Sequence, residues 1–277
     1  MPPTARLLTA LTVVAVVGTA GVLGAGWAVD ALRDPVCRFE ATESTHEVTP
    51  EQAANAATIS MVAVQRDLAP RAATIALATA VQESKLRNIS YGDADSLGLF
   101  QQRPSQGWGT PEQVTDPVYA AGRFYDALVE VEGWQDGVVT EVAQSVQRSA
   151  FPDAYADHEG EARVMATVLT GQTPAALTCR LEAPAGPADP AGTARKAREQ
   201  VGAAPEVDGP TLTFQAPTSA SAWATASWAV AHAEAESVVR VDVAGQRWTR
   251  GTDPHRWGGS GLTVDGSTTV VVRLSSG

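Results

Sequence analysis

Glu83 stands at the end of an unusually apolar stretch, "ALATAVQES" (Ala76–Ser84), and is followed by a turn-rich polar segment, "KLRNISYGDADSLGLFQQRP". Removing water from a carboxyl group disfavours its charged form and raises its pKa. A glutamate placed this way keeps its proton near pH 6 and can donate it to a leaving oxygen. Glycosidic bond cleavage is the reaction that most often uses such an acid. The alternative reading of Glu83 is a helix-terminal side chain in solvent. Asp93 and Asp95, in the turn that follows, are candidates for the second carboxylate that a hydrolytic glycosidase uses; the competing reading makes "YGDADS" ordinary turn chemistry. Trp108, between Gly107 and Gly109, is a candidate for stacking on a sugar ring.

"ES" at Glu83-Ser84 and "GLFQ" at Gly98–Gln101 lie eighteen positions apart, glutamate to glutamine. This pair resembles the lytic transglycosylase and goose-type lysozyme superfamily. "DSLGLFQQRPSQGWGT", "DPVYAAGRFYDAL" and "AQSVQRSAFPDAYA" are similar to its actinobacterial branch, and the resemblance covers about residues 45–178. It implies a mainly α-helical, lysozyme-like domain that cuts the β-1,4 bond between N-acetylmuramic acid and N-acetylglucosamine in peptidoglycan. Glu83 is then the general acid and base, Ser84 fixes the turn beside it, Gln101 hydrogen-bonds the sugar or the acid, and Gln102 extends that surface. The family's tyrosine motif near the acid is absent in its usual form. Gln144 and Gln147 of "AQSVQ", or Tyr155 of "DAYA", are the residues available to take its place. The implied partner is a glycan strand, and the implied reaction needs no cofactor.

These residues require a helical frame. Thr49, Pro50 and Gln52 form a capping box that starts a helix with Ala57, Met61, Val64 and Leu68 on its inner face. A second helix, about Arg71–Lys85, is apolar nearly all round and is expected to be central. Helical periodicity returns in "DPVYAAGRFYDALVEV", with Tyr119, Phe124, Leu128 and Val131 inward. It appears again in "VVTEVAQSVQRSA" and in "DAYADHEGEARVMATVLTG", which Gly171 closes. The expected organisation is an N-terminal anchor and stalk (1–36), a lysozyme-like domain (37–181), an Ala/Pro/Gly-rich linker (182–209) with a short helix at "TARKAREQ", and a small α+β domain (210–277). That last piece is predicted as one helix, "SASAWATASWAVAHAEAES", on about three strands including "VVRVDV", "QRWTR" and "STTVVVRL", with a turn at Asp265-Gly266. Its tryptophans Trp223, Trp228, Trp248 and Trp257 either fill a small core or form an exposed aromatic patch.

Leu7–Val29 carries no charge and is long enough to span a bilayer. With Arg6 before it, this predicts a signal-anchor in the cell membrane with the bulk outside, or else a cleaved signal and secretion. The exported context makes Cys37 and Cys179 a disulfide candidate. The net charge of −11 and the absence of a basic stripe argue against a nucleic-acid partner. His46, His158, His232 and His255 lack metal-site spacing and are expected at the surface.

Overall fold

The computed structural model describes residues 34–41, 44–147, 152–251, 257–260 and 268–276, with backbone only at 152–154. The predicted membrane segment Leu7–Val29, His255 and the turn at Asp265-Gly266 lie outside these residues. Among the described residues no helix is long and apolar enough to cross a membrane. The chain divides at Pro35, and Val36–Gly277 is one unit. Its class is mixed α+β.

The first element is a sheet. Strand β1 (Val36–Ala41) buries Cys37, Phe39 and Ala41 on one face by simple alternation. It pairs antiparallel with β2 (Ser44–Val48) on one side and with β3 (Leu177–Arg180) on the other. Cys37 faces Cys179 across the β1–β3 ladder, and the two form a disulfide. This sheet was not anticipated. The residues just before the Thr49 cap form β2, because its pairing partner decides its state and five mostly polar residues do not.

Helix α1 (Pro50–Gln65) begins as expected. Thr49 accepts from the Gln52 N–H, and the Gln52 amide reaches back to the Thr49 N–H. Helix α2 (Pro70–Ser84) buries Ala72, Ala73, Ile75, Ala76, Leu77, Ala78 and Ala80. Small side chains let its neighbours come close on all sides. Those are α1, α4 (Pro117–Val129), α5 (Val139–Gln147), a 3-10 turn at Pro152–His158, and α6 (Glu159–Leu169). The last predicted helix is therefore two pieces, the 3-10 turn and α6. A short α3 (Pro111–Val114) precedes α4. On α4, Phe124 and Leu128 are buried and Tyr119 is half-buried, and Val131 just beyond the helix is also half-buried.

The segment 182–209 carries α7 (Pro190–Gln200), which buries Thr193, Ala194 and Ala197. Gln200 accepts from Trp228 Nε1 at 2.8 Å, so α7 is docked rather than strung out. Helix α8 (Ser219–Ala231) packs on α1, α6 and β3 as well as on its own sheet. Gly171, in the left-handed conformation after α6, lies so close to α8 that a Cβ there would stand 1.9 Å from the Ala220 carbonyl oxygen. Buried side chains thus run continuously across the expected boundaries near 181 and 209.

Among the described residues the C-terminal sheet has six strands where about three were expected. Its antiparallel order is β4 (Glu206–Asp208), β5 (Thr211–Gln215), β9 (Thr269–Leu274), β6 (Val238–Val243), β7 (Gln246–Thr249), β8 (Gly258–Gly259). The missed strands are short, and their pairing is with distant segments. Trp223, Trp228 and Trp248 are buried, and Trp257 stacks edge-on against Trp223 while its indole N–H donates to the Leu177 carbonyl. These tryptophans are core, not an exposed patch. His232 corrects a second expectation: it is buried at the C-terminal end of α8, and loss of water pushes its pKa down to about 4.

Candidate functional site

Helix α2 stops abruptly one residue past Glu83. Lys85 and Leu86 both take left-handed backbone angles (φ 55° and 56°), which cost a non-glycine residue about 1 kcal/mol or more each. The compensation is visible. Gln52 Nε2 donates to the Lys85 carbonyl at 2.9 Å, and Asn55 Nδ2 donates to the Leu86 carbonyl at 2.8 Å. Leu86 itself is buried, as the hydrophobic contact of such a cap requires. Asn55 was not singled out from sequence. Gln52 read only as half of a capping box, and nothing local revealed its second bond 33 residues away.

At the end of this helix Glu83 is partly buried, and Tyr155 Oη donates to its Oε1 at 2.7 Å. Desolvation is the larger influence and raises the carboxyl above its ordinary value; the Tyr155 hydrogen bond opposes it. Tyr155 is fully buried. Of the three residues available to stand near the acid, Tyr155 is the one that reaches it. Gln147 goes elsewhere, donating from Nε2 to the Phe100 carbonyl at 2.9 Å. Gln144 is half-buried one turn earlier on α5.

The loop that follows α2 is held to it by Ser84. Its buried hydroxyl lies 2.8 Å from the Leu99 carbonyl and 3.1 Å from the Ala80 carbonyl. Ser84 therefore ties helix to loop and does not face a ligand. Gln102 is likewise buried, donating to the Ala120 carbonyl at 3.1 Å, and its backbone pairs with Leu97. Gly98 has φ +75°, and a Cβ there would sit 2.2 Å from the Val114 carbonyl oxygen. Gln101 is also left-handed (φ 48°), and its amide folds onto its own loop, 3.3 Å from the Tyr91 carbonyl and 3.2 Å from that of Gly98. Its Oε1 fills the space a Cβ on Gly92 would need. Gln101 braces the loop beside Glu83 and makes no bond to the acid in this state.

Asp95 has both oxygens engaged. Oδ2 accepts from the Ser105 N–H at 2.7 Å, and Oδ1 accepts from Arg103 Nε and the Ser105 hydroxyl, each at 2.9 Å. These bonds, the backbone one foremost, hold its pKa down to about 2. Asp95 closes the loop on the following "RPS". Asp93 is exposed, and its carbonyl accepts the Ser96 N–H of the same turn. Trp108 lines a cleft of about 800 Å³ with Arg123, Glu130, Val146 and Gln147 among its walls. Neither Glu83 nor Tyr155 lines this cleft; its wall is tied to the loop after α2 by the Gln147 bond to the Phe100 carbonyl. Among the described residues no group of acidic, histidine or cysteine side chains is arranged to hold a metal ion.

No family model matches this chain, and no curated protein matches it.

Proposed function

We propose that this chain cleaves peptidoglycan glycan strands at the bond between N-acetylmuramic acid and N-acetylglucosamine, with Glu83 as general acid and then base. The observation that carries the reading is the state of Glu83. It is a carboxyl at the terminus of a buried helix, its hold on its proton strengthened by desolvation, with one oxygen fixed by a buried tyrosine and the other without a protein partner among the described residues. A proton held this way can pass to the glycosidic oxygen as the C1–O4 bond breaks. The resulting carboxylate takes the proton of the muramyl 6-hydroxyl as that oxygen closes on C1. An anhydro ring forms, and Glu83 ends as it began. This course needs neither water nor a second carboxylate.

The hydrolytic alternative requires a carboxylate facing Glu83 across the sugar. Asp95 is a poor candidate because its oxygens are spent on Arg103 and Ser105. Asp93 remains the candidate for that course. The cleft beside Trp108 suits an extended strand, with an aromatic face for a sugar ring and the opposite charges of Arg123 and Glu130 for its substituents. An exported, membrane-anchored or secreted location belongs to the same reading, since the substrate lies outside the cytoplasm.

Incubation with purified sacculi tests it. The wild type should release soluble fragments, while Glu83→Gln should bind sacculi equally and release at least about a hundredfold less. Equal release by the two proteins removes Glu83 from the mechanism. Binding without turnover by the wild type makes the chain a wall-binding protein instead.

A further inference from the structure

Two neighbouring residues of α2 are gripped by one short piece of chain. Tyr155 Oη holds Glu83, and three residues later His158 Nε2 lies 3.0 Å from Gln82 Oε1. Both come from the 3-10 turn Pro152–His158, and His158 also occupies the cap position of α6. His158 is itself braced. Its Nδ1 is 2.7 Å from Glu161 Oε1, and the other oxygen of Glu161 is 3.2 Å from His46 Nε2 on β2. The chain of polar contacts runs from β2 through α6 and the 3-10 turn to the last turn of α2, where the acid sits.

We propose that His158, braced by Glu161 and His46, is a positioning residue that sets the Tyr155–Glu83 contact. The inference rests on the reading of Glu83 as the acid. A seven-residue 3-10 segment has little rigidity of its own, because its hydrogen-bond geometry is poor and its ends leave backbone groups without internal partners. The Tyr155 hydroxyl stays at hydrogen-bond distance only if the turn is held from outside, and the bond weakens steeply with misplacement. His158 supplies that hold at the turn's C-terminal end, against the residue adjacent to the acid. Glu161 fixes the proton on Nδ1, and Nε2 then meets the Gln82 amide, which offers its oxygen or, turned over, its NH2. The other charged groups nearby have partners of their own. On α6 Glu159 pairs with Arg163, and on β2 Glu47 pairs with Arg38 of β1. Asp157, before His158, is exposed.

The Tyr155 bond is the influence that lowers Glu83's affinity for its proton, against burial. Loosening the turn therefore leaves burial unopposed. The test is the titration of the Glu83 carboxyl in the full chain, followed by carbon NMR with glutamate labelled at the side-chain carboxyl and assigned with Glu83→Gln. Tyr155→Phe should move the midpoint upward. His158→Ala should move it in the same direction, and the double variant should move it no further than Tyr155→Phe alone. An unmoved midpoint in His158→Ala beside a moved one in Tyr155→Phe, or additive shifts in the double variant, overturns the proposal. If His158→Ala does not fold, Gln82→Ala takes its place, since Gln82 is exposed and removes only the Nε2 partner; an unmoved midpoint there overturns the proposal equally. The titration needs no substrate, so it stands or falls separately from glycan cleavage. Where cleavage is measured, His158→Ala should lower turnover on the order of tenfold to a hundredfold with little change in KM.

Discussion

The Cys37–Cys179 disulfide closes a loop with a sequence separation of 142, and every residue of the Glu83 site lies inside it. In the chain-entropy treatment, such a cross-link removes about 17 cal/mol/K from the unfolded ensemble, or about 5 kcal/mol at 25 °C. A domain of this size loses about 2–4 °C of Tm per kcal/mol, so breaking the bond should lower Tm by roughly 10–20 °C. Both cysteines are fully buried, so replacing them would add a cavity cost to the entropic one. Reduction of the unaltered protein avoids this. Calorimetric melts of the oxidised and reduced wild type, checked for reversibility, give the difference directly. The loss should reach the site as well, because β1 is the strand through which the cross-link holds β2 and its His46. A drop in Tm below about 4 °C would refute the reasoning. It would mean that the unfolded chain is already compact, or that the β1–β3 ladder holds the ends together without the bond.

Three further outcomes follow from single residues. Gly98→Ala must bring a Cβ to within 2.2 Å of the Val114 carbonyl oxygen at φ +75°, and should cost at least about 2 kcal/mol in denaturant melts; Gly122→Ala, on α4 with open space around it, should be neutral or gain up to about 1 kcal/mol. Burial raises the Glu83 pKa, so the folded state binds that proton more tightly than the unfolded chain does. Its contribution is complete below the ordinary value of 4.5 and is lost as pH rises through the folded value, so Glu83→Gln should melt higher than wild type at neutral pH, with the gap closing as pH falls from the folded value to 4.5. Asp95 behaves in the opposite sense: its contribution is present above its ordinary 3.8 and is lost as pH falls through about 2. Asp95→Asn should therefore be less stable than wild type at pH 5 by melting, and the difference should shrink toward pH 2.

The residues that organise the helical part carried their own signals. Thr49, Pro50 and Gln52 mark where α1 begins, and the run of small apolar residues from Ala72 to Ala80 marks α2 as central. Gly171 marks the end of α6. What escaped was long-range. β1, β2 and β3 are short, and they become strands because Cys37 pairs with Cys179 and Val48. β4 and β5 were hidden in what read as linker and its margin, for the same reason. Within the site, the type of Glu83 and its neighbours was legible, but the direction of their side chains was not. Gln101 and Gln102 read as ligand contacts through the resemblance, and Ser84 as the residue that fixes the turn. Their donors are in fact used to hold the loop at backbone carbonyls that no local pattern specifies. Tyr155 and His158 lie more than 70 positions from the residues they grip, so only tertiary structure brings them there.

The central claim is that Glu83 alone both gives and takes the proton during cleavage. Mass spectrometry of the fragments released from purified sacculi tests it most directly. The account predicts muropeptides ending in an anhydro-muramyl ring, lighter by one water than their reducing-end counterparts, and none with Glu83→Gln. Reducing ends as the main product, or anhydro products undiminished in Glu83→Gln, would contradict it.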